Sequence, residues 1–277
     1  MTQKKAFVIG HPIAHSRSPL MHGAWLDHYG IDGSYEAIDV TPDDLPAFFA
    51  RLRGGEFAGG NVTLPHKQTV FALCDAVDPL ARAIGAVNTL VVRDGTVQGS
   101  NTDFLGFLGN LDQHASGWSD GLMQAIVLGA GGAARAVLVA LRERGVQKIH
   151  VLNRTRDKAE ALAAQIEGPF VVHGLGDFAA LAPEAGLLVN TTSVGMGGTG
   201  FGSLPLQRLR RGTIVTDIVY APLETPLLAE ARALGFTTVD GLGMLLHQAV
   251  PGFEAWFGVR PEVTPDLRAK VEASLRD

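Results

Sequence analysis

The chain is short of cysteine, of like-charged runs and of long apolar stretches, and each shortage excludes something. Cys74 is the only cysteine, so no internal disulfide can form, and a lone thiol fits a reducing compartment. The nine histidines form no Cys/His cluster with zinc spacing, so no metal is expected. The 23 basic and 28 acidic residues give a formal charge of −5 without a long run of either sign, which makes nucleic acid or an anionic membrane an unexpected partner. The most apolar stretch, AIVLGAGGAARAVLVAL from Ala125, is interrupted by Arg135 and reads as a strand, a turn and a helix rather than a membrane span. Only five small or apolar residues, Ala6 to Gly10, follow MTQKK before His11, too few for the core of a signal peptide. A cytoplasmic protein is expected.

Glycine is abundant instead, at 34 of 277 residues, against a usual share of about 7%. It has no three-residue period, and together with 14 prolines it stays below the low-complexity range, which excludes fibre and disorder. Short apolar runs alternate with longer helical patterns: KAFVIG then SPLMHGAWLDHYG, SYEAID then TPDDLPAFFARLR, FAGGNVT then PHKQTVFALC. Ser18 before Pro19 and Thr41 before Pro42 read as N-caps followed by proline in the first helical turn. This alternation predicts an α/β fold with a mainly parallel sheet. NTLVVRDG followed by TVQGSN interrupts it as a hairpin turning at Asp94 and Gly95.

A second series of strands and helices begins near Ala125, after HASGWSDG, and runs to TIVTDIVY. It reads as a doubly wound Rossmann-type half. From Gly241 onward two helices are expected, GMLLHQAVPGFEAWFG and TPDLRAKVEASLRD, and periodicity does not say on which half they pack.

Gly129, Ala130, Gly131, Gly132, Ala133 and Ala134 match G-x-G-x-x-A between the strand QAIVL and an amphipathic helix, the context that a dinucleotide fingerprint requires. Gly129 permits the tight turn, and Gly131 lets backbone approach a pyrophosphate stabilised by the helix N-terminus. S-adenosylmethionine is the main competing ligand for such a loop. The end of the next strand separates them. Twenty-two residues beyond Gly131, where an NAD site places Asp or Glu, stand Asn153, Arg154 and Thr155, with Lys158 one helical turn on. Cations in place of an acid suit a 2′-phosphate, so NADP is the expected cofactor. In the alternative, Asn153 and Thr155 merely cap the following helix and the cations are solvated.

Polar clusters also end the strands of the first hundred residues: HSRS at 15–18, NVTLPHK at 61–67, AVNT at 86–89 and NTD at 101–103. Ser16, Ser18, Thr63, Asn88 and Asn101 supply neutral donors and acceptors, while Lys67 and Asp103 supply one charge of each sign. That inventory suits a small polyhydroxylated acid bound at strand ends. Taken singly, Ser18 reads equally as a helix cap, Asn88 as a turn former and Lys67 with Asp103 as a surface ion pair.

The order and spacing of these clusters, with GAGGAA, NRT, NTTSVGM, DIVYAPLETPLL and GLGMLLHQA, resemble the shikimate dehydrogenase family over essentially the whole chain. The resemblance implies a split substrate domain, residues 1–105 plus 241–277, around an NADP domain at 106–240. It implies NADPH-dependent, reversible reduction of 3-dehydroshikimate to shikimate, on the route to chorismate and the aromatic amino acids. By resemblance Ser16, Ser18 and Tyr220 bind the substrate carboxylate, and Thr63, Asn88 and Gln248 meet or place its ring hydroxyls. Lys67 and Asp103 match the catalytic pair. Cofactor contacts carry over to Gly129, Ala130, Gly131, Gly132 and Ala133, to Asn153, Arg154, Thr155, Arg156, Asp157 and Lys158, and to Ile218, Gly241 and Met244, with Gly243 beside them at the nicotinamide edge.

Arg17, His66 and the glycine-rich loop 195–202 depart from the pattern; the first two are expected to point away from the ring, and the loop to be a surface connection. A paralogue acting on quinate, with NADP or NAD, and a non-catalytic sensor keeping the fold are the alternatives. A monomer or a homodimer is expected.

Overall fold

The structure, a computed structural model, describes residues 3–202 and 204–275. It divides into two compact units: the chain up to Thr102 together with the residues from Leu246 onward, and Asp103–Leu245. Sequence placed the two passages after 105 and after 240.

The first unit opens with β1 (Lys4–Gly10), α1 (Ser18–Tyr29), β2 (Gly33–Asp39), α2 (Leu45–Arg53) and β3 (Gly59–Val62). It continues with α3 (Lys67–Leu73), β4 (Ala76–Val77), α4 (Pro79–Ile84), β5 (Thr89–Arg93) and β6 (Thr96–Ser100). The strands form one sheet in the order β2-β1-β3-β5-β6-β4. β1 runs parallel to both neighbours, while β3, β5 and β6 are successively antiparallel. The apolar run of β1 is buried from Ala6 to Ile9, as a central parallel strand covered on both faces must be. Asp94 and Gly95 turn the expected β5–β6 hairpin with φ of 50° and 73°, the two left-handed residues of a type I′ turn.

Ser18 is not the N-cap of α1. Arg17 already has helical φ and ψ of −90° and −3°, so the helix starts one residue early. The Ser18 N–H is instead met by the Ser16 hydroxyl at 3.3 Å, and the Ser18 side chain is buried. Thr41 does occupy an N-cap position, before the 3-10 turn Pro42–Asp44, with its hydroxyl donating to Asp44 Oδ2 at 2.6 Å.

The second unit contains α5 (Asp103–His114), β7 (Gln124–Leu128), α6 (Gly132–Glu143), β8 (Lys148–Leu152), α7 (Arg156–Gln165), β9 (Phe170–His173) and α8 (Phe178–Leu181). There follow β10 (Leu187–Asn190), β11 (Val194–Gly197), β12 (Ile214–Asp217), α9 (Pro226–Ala233) and β13 (Thr237–Val239). Six of these strands form an all-parallel sheet, β13-β12-β10-β7-β8-β9. Ile126, Val127 and Leu128 of β7 are completely buried, and so are Ala136 through Leu141 of α6. Cutting one such leucine to alanine costs about 2–5 kcal/mol.

The chain re-enters the first unit within α10 (Leu242–Phe257) and ends in α11 (Pro265–Ala273). Two long-range bonds explain why these helices belong there. Trp256 Nε1 donates to Leu90 O at 2.8 Å, and Trp25 Nε1 to Glu262 O at 3.0 Å. Gly59 makes the first possible: a Cβ there would lie 2.4 Å from Trp256 Nε1 and 2.1 Å from Leu90 O.

Candidate active site

In the first unit the polar motifs converge where β1 and β3 end. Val62 N–H donates to Asn88 O, Thr63 N–H to Ile9 O, and Val87 N–H to Lys67 O, all at 2.8–2.9 Å. His11 N–H reaches Leu64 O at 3.0 Å, tying the start of the HSRS loop to NVTLPHK. Thr63, Lys67 and Asn88 are thereby held by main-chain bonds in one place, with Lys67 as the first residue of α3 and half-buried. His66 is turned into the interior. It is buried, with Nε2 2.7 Å from Val40 O, and so fixes the loop rather than facing a ligand.

Asn88 is no mere turn former. Its Oδ1 accepts from Thr102 N–H (2.7 Å), Thr89 Oγ1 (2.9 Å) and Thr102 Oγ1 (3.1 Å), and its Nδ2 donates to Gln248 Oε1 at 3.3 Å. Asn88 and Gln248 are therefore brought together across 160 residues. With its carbonyl oxygen carrying three donors, the amide nitrogen is the end of the side chain that donates.

Behind this group lies a polar chain that sequence reasoning missed. Tyr35 donates its phenol to Asn61 Oδ1 at 2.6 Å, and Asn61 Nδ2 reaches Asn88 O and Thr89 Oγ1 at 3.3 Å. Burial pushes the Tyr35 phenol well above its ordinary pKa, against the lowering pull of the Ser18 hydroxyl and Asn61. His22 stacks on Tyr35 with centroids 3.9 Å apart, inside a ring of Trp25, Phe253 and Trp256. Burial drives its pKa down to about 3, only partly offset by Asn61, so the imidazole is neutral. Asn61 stood inside a recognised motif, but His22 and Tyr35 carry no local signal of a site.

In the second unit, Gly129 sits at φ 106°, and a Cβ there would lie 2.8 Å from both Thr191 Oγ1 and Thr192 Cγ2. Only glycine suits that turn. Gly131, the N-cap of α6, offers no side-chain cap, and at neither Gly131 nor Gly132 would a Cβ meet another atom within 4 Å. The first amides of α6 thus point from an open turn, the arrangement that accepts a pyrophosphate. At the end of β8, Asn153 Nδ2 donates to Thr155 O at 2.7 Å, while the Thr155 side chain makes no cap bond to α7. The capping alternative for Thr155 therefore fails. Arg156 pairs with Glu160, and Asp157 lies exposed in the first turn of α7. Arg154 and Lys158 are exposed and make no ion pair among the described residues. Two uncompensated cations beside a free hydroxyl fit a 2′-phosphate.

Asp103 opens α5 and Tyr220 follows β12, so both belong to the second unit. Ile218 and Gly241 are in contact: a Cβ on Gly241 would lie 2.4 Å from Ile218 O, and Met244 is buried three residues on. Gly243 is accounted for differently, since a Cβ there would lie on the Asn110 amide of α5. The loop 195–202 begins as the end of β11, with Gly195 buried, and is exposed from Met196 to Gly200, with positive φ at Gly195, Gly197, Gly198 and Gly202. Among the described residues no group of three or more potential metal ligands occurs, and no helix is long and apolar enough to cross a membrane.

Three family models match the chain: the shikimate dehydrogenase substrate binding domain at residues 8–90, shikimate / quinate 5-dehydrogenase at 116–195, and the shikimate 5′-dehydrogenase C-terminal domain at 241–269. The shikimate dehydrogenase (NADP(+)) of Mesorhizobium japonicum is 56% identical over 273 residues, covering 98% of this chain and 97% of the relative. A structure of Thermus thermophilus shikimate 5-dehydrogenase in complex with NADP(H) and shikimate is similar at 39% identity and TM-score 0.83, covering 99% of both chains. The quinate dehydrogenase of Corynebacterium glutamicum in complex with NAD is similar at 33% identity and TM-score 0.90, covering 98% of this chain and 99% of the other.

Proposed function

This chain belongs to the shikimate dehydrogenase family, and from that premise we infer how its residues divide the work of the reaction. The protein is an NADP-dependent oxidoreductase that reversibly reduces 3-dehydroshikimate to shikimate, a step of aromatic biosynthesis. NADPH, when bound, supplies the hydride.

Reduction of a ketone leaves negative charge on its oxygen, so the site needs a proton donor and a positive field there, and the reverse reaction needs a base. Lys67, fixed at the start of α3, serves as that group. Asp103 orients the ammonium and accepts a hydrogen bond from the reacting hydroxyl. The Ser16 and Ser18 hydroxyls bind the substrate carboxylate, and Tyr220 completes its site. The amide nitrogen of Asn88, the hydroxyl of Thr63 and the Gln248 amide read the ring hydroxyls. On the second unit the α6 N-terminus takes the pyrophosphate, Arg154, Thr155 and Lys158 the 2′-phosphate, and Ile218, Gly241 and Met244 the nicotinamide. The reaction takes place in the cytoplasm, where Cys74 stays reduced, in a monomer or a homodimer.

The observation that carries this reading is the convergence of Thr63, Lys67, Asn88 and Gln248 at the strand ends, in a chain 56% identical to a protein named for this reaction. The NADP-named relatives and the absence of an acid at the end of β8 favour it over a quinate enzyme using NAD. Initial rates with shikimate or quinate, each paired with NADP or NAD and followed by nicotinamide absorbance, test it. Shikimate with NADP is expected to give by far the highest kcat/KM. Equal rates with quinate, or tight binding without turnover, would contradict it.

A further inference from the structure

The ends of β10 and β12 hold a buried carboxylate that the chemistry above does not use. Asp217 has 0% exposure, and its donors are all neutral: Asn190 Nδ2 at 2.8 Å and Val219 N–H at 2.9 Å on Oδ1, and the Thr225 hydroxyl at 2.8 Å on Oδ2. Burial pushes its pKa up, against these three bonds. Asn190 is its neighbour in sheet register. Asn190 Nδ2 also donates to Val194 O at 2.8 Å, and Oδ1 accepts from Thr192 N–H and Oγ1 at 2.9 and 2.8 Å. Thr191 Oγ1 in turn donates to Leu128 O at 2.7 Å, directly under the Gly129 turn. Asn190 thus joins Asp217 to the Thr192–Val194 turn, and Thr191, the next residue of the chain after Asn190, ties the same strand end to the glycine turn. Keeping an acid in the interior on neutral donors alone is expensive, and an apolar residue of similar volume is often as stable. Fold stability therefore does not explain why a carboxylate stands here.

We propose that Asp217 is a positioning residue that sets the path of Ile218–Tyr220 and the Thr191–Val194 turn, and through them the nicotinamide half of the dinucleotide. The inference rests on the reading that the second unit binds NADP. Ile218 N–H bonds to Asn190 O at 3.1 Å and Val219 N–H to Asp217 itself, so this segment has its backbone fixed by the network at two successive residues. Arg154 and Lys158 follow β8, on the opposite side of β7 from β10 and β12. The two halves of the ligand are served by different strand ends, and loosening one need not loosen the other.

Asp217→Asn keeps the size of the side chain but turns an NH₂ group toward donors. Wild type and variant are titrated by calorimetry with NADPH and with 2′,5′-ADP, which carries the phosphate half and no nicotinamide. The variant is expected to bind NADPH at least tenfold more weakly and 2′,5′-ADP within twofold of wild type, with kcat about 10–100-fold lower because the ring is misplaced. Thr225→Val, which removes one donor, gives the same split at about threefold and serves if the Asn variant does not fold. Thr225→Ser keeps the donor and restores wild-type values. Equal weakening of both ligands, or no change in either, overturns the proposal. A wild-type protein that binds neither overturns the reading on which it rests.

Discussion

In the first unit, the residues assigned to the substrate are backed by groups that bond one another and carry no charge. Tyr35, Asn61, Asn88, Thr102 and Gln248 form a connected set, and His22 is held neutral behind them. In the second unit recognition depends on what is left open: an uncapped helix end at Gly131 and the exposed Arg154 and Lys158, which make no ion pair among the described residues, with a buried acid bracing the neighbouring strand ends. The first arrangement selects by shape, because a ligand must match donors whose directions are already set. The second selects by charge. It follows that the two units should respond differently to mutation, pH and salt.

The largest effect belongs to the first unit. Lys67→Ala removes the acid–base group and is expected to lower kcat by about 10²–10⁴, or roughly 3–5 kcal/mol, while KM changes far less. Steady-state rates decide this, and a near-normal kcat would take Lys67 out of the mechanism.

Next comes the acid response of the neutral scaffold. His22 has a pKa of about 3 when folded against 6.5 when unfolded, so below pH 6.5 the unfolded chain takes up a proton that the folded one refuses. Stability contributed by the neutral ring is complete above pH 6.5 and falls by about 1.4 kcal/mol per pH unit as pH drops towards 3. Urea unfolding at pH 6.5 and 4.5 should therefore show a loss about 2 kcal/mol larger in wild type than in His22→Leu. Parallel losses in the two proteins would mean that the imidazole is not neutral in the fold.

For the second unit, Arg154→Ala combined with Lys158→Ala is expected to weaken NADPH by about 10–10²-fold and to leave NADH almost unchanged. Binding titrations check it, and equal weakening of both cofactors would remove the phosphate from these residues. The smallest effect is that of salt. Raising ionic strength from about 0.05 to 0.5 M should weaken NADPH a few-fold more than shikimate, since only the former relies on exposed cations.

The same contrast governs what could be read from sequence. The second unit was legible almost throughout, because its signals are local: QAIVL ends in the glycine turn that starts α6, and KIHVL ends in Asn-Arg-Thr. The motifs of the first unit were legible, but not their assembly. Asn88 and Gln248 meet across 160 residues, and the attachment of α10 depends on Trp256 bonding Leu90. Ser18 misled because a Ser-Pro pair marks a cap only if the serine itself lies outside the helix, and Ser18 is already the first residue of α1. His22, Tyr35 and Asp217 were invisible as a group, since burial of a polar side chain is a property of the packed core and leaves no trace in periodicity.

The division of labour between the units is tested most directly by crossed binding titrations, with shikimate and NADPH each titrated into wild type, Ser16→Ala/Ser18→Ala and Arg154→Ala/Lys158→Ala. Each double change is expected to weaken its own unit's ligand by tenfold or more and to leave the other within twofold. A serine pair that weakens NADPH, or a cation pair that weakens shikimate, to the same extent as its own ligand would contradict the account.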